Sequence, residues 1–354
     1  MCCVACLSDR LSRSGWRRAS WGRRMSGMCV FRDQGGAGVP EPRRRVNAMQ
    51  AAWMRRDTTG PSDAPPPPAP DRRDRSRPRR RAGPCLPRRG AVSPVPGGTD
   101  NALFRLGPRA VLRLPLRECG VRQVATDRHW LPGLAPLRPP GLAVPRLRFA
   151  GAPGPGFPHP WTIQDWLEGD SAHHAPPRDD PAAGRALAGM MRALQALPGA
   201  GALPPSRSLA AQDESVRAQI AEFRPGEGDR GRLEAEWDAA MALPRHGGPS
   251  VVVHGDLHPL NLVVRGGALS GVIDWGGLSR GDPARDLMAG WTVLGVPGRT
   301  ALAAALRPDP AALARGRAHA LAMACMGIPF YRRGNPAFLA MIHRILAEVL
   351  AHPA

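Results

Sequence analysis

Within the eight residues HGDLHPLN, His254 to Asn261, the chain sets two histidines, an aspartate and an asparagine between the apolar runs VVV and LVV. A second aspartate, Asp274, follows in the triplet DWG, and a third, Asp286, closes the stretch GDPARDL at Gly281 to Leu287. These residue types can bind a metal, handle a proton, or simply satisfy a turn.

Metal-assisted phosphoryl transfer needs a carboxylate near the attacking hydroxyl, oxygen ligands for Mg²⁺, and a scaffold that holds them while charge spreads over the phosphate oxygens. Asp256, followed five residues later by Asn261, has the H-x-D-x-x-x-x-N spacing of a phosphoryl-transfer loop, and Asp274 stands where the metal-binding Asp of D-F-G would. Two other readings compete. His254, Asp256 and His258 alternate as three metal ligands on one face of a strand would, although Pro259 and the lack of a second ligand cluster count against a metal hydrolase. The four positions could also be polar turn residues, which leaves their joint spacing unexplained.

The elements that must position them can be read from periodicity. SVVVHGDLHPLNLVVRGGALSGVIDW places two short apolar strands, Leu262 to Val264 and Leu269 to Ile273, around the turn RGGA. Such a hairpin brings Asp274 back beside the loop that precedes it. Upstream, alternation predicts strands at Asn101 to Leu106 and Ala110 to Leu114, a helix over Gly120 to Leu131, and a further strand pair at Ala143 to Ala150 and Trp161 to Leu167. From Pro181 the texture is helical: Leu187, Met190, Met191, Leu194 and Leu197 share one face, the pattern of core packing. Further helices are predicted at Ala211 to Phe223, Leu233 to Leu243, Ala284 to Leu294, Pro310 to Met326 and Pro336 to Ala351. The layout is a small β-rich N-terminal lobe followed by a larger helical one.

Composition bounds the rest. The 354 residues, 43% hydrophobic, suffice for a sizeable core. The formal charge is +20, but residues 1–90 hold 21 arginines against seven carboxylates, and the chain contains no Lys. An Arg, Ala, Gly and Pro bias of this kind reads as GC-rich coding, which weakens a nucleic-acid partner. Residues 1–90, with PSDAPPPPAPDRRDRSRPRRRAGP, show no periodicity and are expected to be disordered. They can be a basic arm, an inert tail, or the product of a start placed too early or a shifted frame; scattered Trp, Cys and Met favour the last, with Met25, Met28, Met49 and Met54 as alternative starts. Five of the seven cysteines lie in that segment, and Cys119 and Cys325 are isolated, which points to reduced thiols and a cytoplasmic setting. No apolar run is long enough for a membrane span or a signal peptide.

Together, HGDLHPLN, the hairpin, IDW and GDPARDL resemble the signature of the aminoglycoside phosphotransferase-like family of small-molecule kinases, over a stretch from about Gly97 to the C-terminus. The resemblance implies an α+β, bilobal protein-kinase-like fold with a nucleotide-binding lobe at 91–169 and a helical lobe at 170–354. It implies ATP and Mg²⁺ as cofactors and a small hydroxylated molecule as partner, among them aminoglycosides and other antibiotics; a catalytically impaired, kinase-like binding protein is the alternative. Carried over position by position, it makes Asp256 the base or hydroxyl-orienting residue and Asn261 and Asp274 the Mg²⁺ ligands. His254 and His258 hold the loop, and Asp286 supports it from the following helix.

Several positions depart from the family's pattern. The strand AVLRLPLR offers Arg113 where a phosphate-binding Lys is usual, and its helix partner would be Asp127 rather than Glu. Gly97 and Gly98 of PGGTDN would cover the phosphates, and Gln164 and Trp166 of WTIQDWLEGD belong to the segment facing adenine. Leu260 replaces a usual Gly; if that position requires φ > 0, Leu costs on the order of 1 kcal/mol. Glu168, Asp170, Asp179, Asp180 and Glu222 are candidates to attract a cationic substrate.

Overall fold

The structure, a computed structural model, describes residues 92–95, 100–135, 141–154, 157–332 and 335–354. The Arg- and Pro-rich segment 1–90 and the glycines Gly97 and Gly98 lie outside these residues. Contacts divide the chain into two compact units, one ending at Val121 and taking in Arg148–Gln164, the other formed by Arg122–Leu147 and Asp165–Ala354.

The first unit is a five-stranded sheet. Strands β1 (Val92–Val95), β2 (Asn101–Leu106), β3 (Ala110–Pro115), β4 (Leu147–Gly151) and β5 (Trp161–Asp165) lie in the order β1-β2-β3-β5-β4. β1 carries Pro94 and sits at the edge, where its missing N–H interrupts no ladder. Because side chains alternate along a strand, the packing of Leu106, Leu112, Leu114 and Ile163 into one cluster fixes the apolar face. Arg113, Thr162 and Gln164 therefore share the opposite face of the neighbouring strands β3 and β5, and all three are buried. Gln164 Nε2 donates to Thr162 Oγ1 at 3.2 Å.

Helix α1 (Glu118–Leu134) follows β3 and continues into the second unit. That unit holds a three-stranded sheet, β6 (Asp170–Ser171) with β8 (Leu262–Arg265) and β9 (Ala268–Val272), and a two-stranded one, β7 (Val251–Val253) with β10 (Ser279–Gly281). Helices α2 (Asp180–Gln195), α3 (Asp213–Ala221), α4 (Arg230–Met241), α5 (Ala284–Leu287), α6 (Ala289–Thr292), α7 (Val296–Leu306), α8 (Pro310–Tyr331) and α9 (Pro336–Ala351) make up the remainder. The stripe Leu187, Met190, Met191 and Leu194 of α2 is buried against the β8–β9 hairpin residues Leu262, Val264 and Val272. A second cluster gathers Trp237 of α4, Leu321 and Cys325 of α8, and Ile342 and Ile345 of α9. Cys119 and Cys325 are free thiols, and burial pushes the Cys325 thiol up to about 12.

One expected element needs correction, and one helix was not expected. The helix expected over Ala284 to Leu294 is two short turns, α5 and α6, joined at Met288. Helix α7 was not among the expected elements; Pro297 stands in its first turn, where Pro loses no hydrogen bond. Among the described residues, no helix is long and apolar enough to cross a membrane.

Candidate active site

β7 ends at Val253 and delivers the chain into His254–Asn261, which re-enters the sheet as β8. Gly255 takes φ +82, a left-handed conformation that a side chain would strain, and so turns the loop sharply. Asp286, in α5, fastens that turn: its Oδ2 accepts the His254 N–H and its Oδ1 the Gly255 N–H, both at 2.8 Å. Burial pushes the Asp286 carboxyl up, opposed by His254, these two amides and Arg285.

His254 is fully buried with both ring nitrogens committed to backbone. Nδ1 accepts from the Asp256 N–H at 3.3 Å, so Nε2 carries the proton and donates to the Ile273 carbonyl at 3.2 Å. The Trp275 ring stands edge-on to it at 4.9 Å, and the Trp275 indole N–H donates to the Val272 carbonyl at 2.8 Å. His254 is thus a brace between loop and hairpin, and the metal-hydrolase reading loses its first ligand.

The Asp256 side chain remains 46% exposed. Asn261 Nδ2 donates to the Asp256 carbonyl at 2.9 Å and to its Oδ2 at 3.0 Å. The same Nδ2 also lies 3.1 Å from His258 Nε2. His258 Nδ1 accepts the Leu260 N–H at 3.3 Å, and its Nε2 lies 3.4 Å from Asp256 Oδ2. Partial desolvation raises the Asp256 pKa, but His258, His254 and Arg285 outweigh it and hold the carboxyl below the usual carboxylate range. Asp256 is therefore an anion with one oxygen, Oδ2, tied down.

Asp274 lies directly after Ile273, whose N–H donates to the Asn261 carbonyl at 2.9 Å. It adopts φ 62 and ψ 61, costing on the order of 1 kcal/mol for a non-glycine residue. Strain of this kind is retained where surrounding structure enforces it. Behind it, a Cβ on Gly276 would fall 2.6 Å from the Cβ of Gln123, so the glycine lets α1 pack directly on the DWG turn. Asp127 of α1 is fully buried and Trp166 is half-buried. Arg113 and Gln164 lie on the buried polar face of the first unit's sheet.

Leu260 does not take φ > 0; among the described non-glycine residues only Asp274 and Arg307 do. It sits in the 3₁₀ turn Pro259–Asn261, capped by His258, and packs against the second helical cluster. The strain that φ > 0 would impose is therefore absent. Of the acidic residues named above, Asp179 caps α2 through the Ala182 N–H at 2.8 Å, and Asp180 accepts the Gly295 N–H at 3.2 Å and the Gly298 N–H at 2.6 Å.

Sequence reasoning missed Arg285, although it lies inside GDPARDL. Its Nε donates to the Gly255 carbonyl at 2.9 Å and its Nη1 to His319 Nδ1 at 3.3 Å. Thr292 was missed as well; its hydroxyl donates to the Leu257 carbonyl at 2.5 Å. Neither contact has a signal in sequence, since each depends on where α5 and α6 dock.

A β-rich unit, a larger helical unit and a loop–hairpin clamped by a later aspartate define the α+β, protein-kinase-like phosphotransferase fold. The profile of the phosphotransferase enzyme family (APH) matches residues 91–320, and the chain belongs to that family. The fold is similar to that of the GDP and kanamycin complex of APH(2")-IIia, with a TM-score of 0.58 and 18% identity over 74% of this chain and 93% of that one. The GDP complex of wild-type aminoglycoside 2'-phosphotransferase-IIIa gives a TM-score of 0.57 and 18% identity, over 74% of this chain and 93% of that one. No curated protein sequence matches the chain significantly.

Proposed function

We propose that this chain transfers the γ-phosphoryl group of ATP to a hydroxyl of a small polar molecule. The observation that carries the reading is the tie between Asn261 and Asp256, which fixes one carboxylate oxygen and leaves the other for an acceptor. Purine nucleotide binding is supported by the similar structures, whose complexes hold GDP.

Asp256 Oδ1 accepts a hydrogen bond from the acceptor hydroxyl and orients its oxygen at the γ-phosphorus. As the new O–P bond forms and the bond to the β-phosphate oxygen breaks, the hydroxyl proton passes to Asp256. A carboxylate held below its usual range is a weak base, so its main contribution is orientation, consistent with a loose transition state that needs little early deprotonation. Asn261 Oδ1 and the Asp274 carboxylate are hard oxygen donors that fit Mg²⁺. When bound, that ion neutralises charge on the phosphate oxygens. His254, His258 and Asp286 hold the loop. Arg113, with Gly97, Gly98, Asp127, Gln164 and Trp166, belongs to the nucleotide side, where the Arg113 guanidinium can fork onto phosphate oxygens.

The test is γ-phosphate transfer from labelled ATP across a panel of hydroxylated acceptors that includes kanamycin, with Asp256→Asn alongside. Transfer by the parent chain and its loss in the variant are expected. Undiminished transfer by Asp256→Asn would remove Asp256 from the reaction.

A further inference from the structure

Three successive carbonyls in the loop His254–Asn261, those of Gly255, Asp256 and Leu257, each accept a hydrogen bond from a side chain. Arg285 Nε of α5 donates to the Gly255 carbonyl at 2.9 Å, Asn261 Nδ2 to that of Asp256 at 2.9 Å, and the Thr292 hydroxyl of α6 to that of Leu257 at 2.5 Å. These three residues belong to no helix or strand, so side chains supply the partners that a ladder would otherwise give. Leu257 is fully buried in the first core cluster and Thr292 is buried too, so the bond between them is shut away from water.

A peptide group is planar, so a carbonyl held in one direction restrains the plane that contains it. The φ and ψ of Asp256 and of Leu257 are the rotations between these three planes. Restraining all three sets the backbone at Asp256 and, with it, the direction of its Cα–Cβ bond. The two outer donors are themselves held. Arg285 is half-buried in the field of the Asp256 and Asp286 carboxylates, which oppose the cost of desolvating its guanidinium, and its Nη1 lies 3.3 Å from His319 Nδ1. A helical threonine can turn its hydroxyl onto the carbonyl one turn back. Thr292 instead directs it to Leu257, 35 residues earlier, while its N–H donates to the Met288 carbonyl at 3.0 Å.

We propose that Arg285 and Thr292 are positioning residues for phosphotransfer: by holding the carbonyls on either side of that of Asp256, they aim its carboxylate at the acceptor hydroxyl. This rests on the phosphotransfer reading of the loop. Both residues bond the loop's backbone, so they act through Asp256 and not on the substrate. A reacting group displaced by about 1 Å can lose on the order of a hundredfold in rate. Loss of one carbonyl restraint therefore acts on turnover, whereas the nucleotide is held by other residues.

In the full chain, Thr292→Val keeps the branched shape and removes the donor, and Thr292→Ser returns it. Arg285→Lys keeps the cation and removes the planar fork that reaches both Gly255 and His319. Phosphate transfer from ATP to the acceptor panel is measured per folded molecule, with the folded fraction read from urea unfolding. In Thr292→Val and Arg285→Lys, kcat is expected to fall about tenfold or more while KM for ATP stays within about threefold; Thr292→Ser should recover. A purely structural role lowers the urea midpoint and leaves kcat per folded molecule unchanged, and that result in Thr292→Val overturns the proposal. If Thr292→Val does not fold, Arg285→Lys decides on the same criterion. Amide hydrogen exchange is followed in parallel and is expected to quicken about tenfold over residues 254–261 in both variants, while α2 keeps its protection. If the parent chain transfers no phosphate, the phosphotransfer reading fails, and the restraint is judged on exchange alone. Quickening confined to 254–261 upholds it, and an unmoved loop overturns it.

Discussion

Asn261 Nδ2 donates to Asp256, at 2.9 Å to the carbonyl and 3.0 Å to Oδ2, and lies 3.1 Å from His258 Nε2. Asn261 and Asp256 are five residues apart in sequence, and the 3₁₀ turn Pro259–Asn261 folds one back onto the other. Asn261 can thereby orient the carboxylate and present its own Oδ1 to a cation.

Asn261→Ala removes that restraint and the oxygen ligand together. Phosphate transfer is expected to fall by about a hundredfold or more, since a misplaced reacting group costs on that order. Its Mg²⁺ requirement should rise as well. Rates measured against Mg²⁺ concentration check both, and an unchanged Mg²⁺ dependence would leave the asparagine a loop-fixing residue only.

Asp286→Asn leaves one acceptor oxygen for the amides of His254 and Gly255 and turns a donor toward the other. One buried N–H loses its partner, so stability should drop by about 1–3 kcal/mol. Urea midpoints compared with the parent chain measure the loss. Phosphate transfer should decline in the same variant, because the loop that carries Asp256 is no longer clamped.

Leu260→Gly separates two accounts of the loop. Were the leucine strained, glycine would stabilise the protein. Because Leu260 has ordinary φ and packs on the second cluster, glycine should destabilise it, by about 1–3 kcal/mol from lost burial and added chain entropy. Thermal melting of the two proteins decides the sign.

His319 makes stability depend on pH. Its pKa is well below that of an exposed histidine, chiefly through burial, with Arg285 and Arg315 adding to it. Between the folded value and the unfolded value of about 6.5 the unfolded chain holds the extra proton, so stability falls as pH falls through that window. Going from pH 7.5 to 5.5 should cost on the order of 1 kcal/mol from this group. His319→Asn, which keeps an acceptor toward Arg285, should flatten that part of the pH profile in denaturant titrations.

Much of the site was legible because its residues lie in a single hairpin-spanning stretch. His254, Asp256, Asn261 and Asp274 sit on either side of two apolar strands whose alternation is plain, and the strands fold where that alternation places them. The stripe of α2 was legible for the same reason: a 3.6-residue repeat of Leu and Met has one burial solution. The break at Met288 was hidden by an apolar pattern continuous across it. The role of Leu260 was misjudged because sequence shows which residue departs from a pattern and not which backbone conformation absorbs the change.

Local pattern thus determined, without any tertiary information, the hairpin, the spacing of its polar residues and the family to which the chain belongs. These depend on interactions between residues a few positions apart, where alternation and spacing leave little freedom. Only the tertiary structure decided that Asp286 binds His254 and Gly255 from 32 and 31 residues away, that Asp179 and Asp180 serve α2 and α7, and that Arg285 bonds both Gly255 and His319. Those contacts arise from how α5, α7 and α8 dock onto the loop, and docking depends on three-dimensional shape that a linear pattern does not carry.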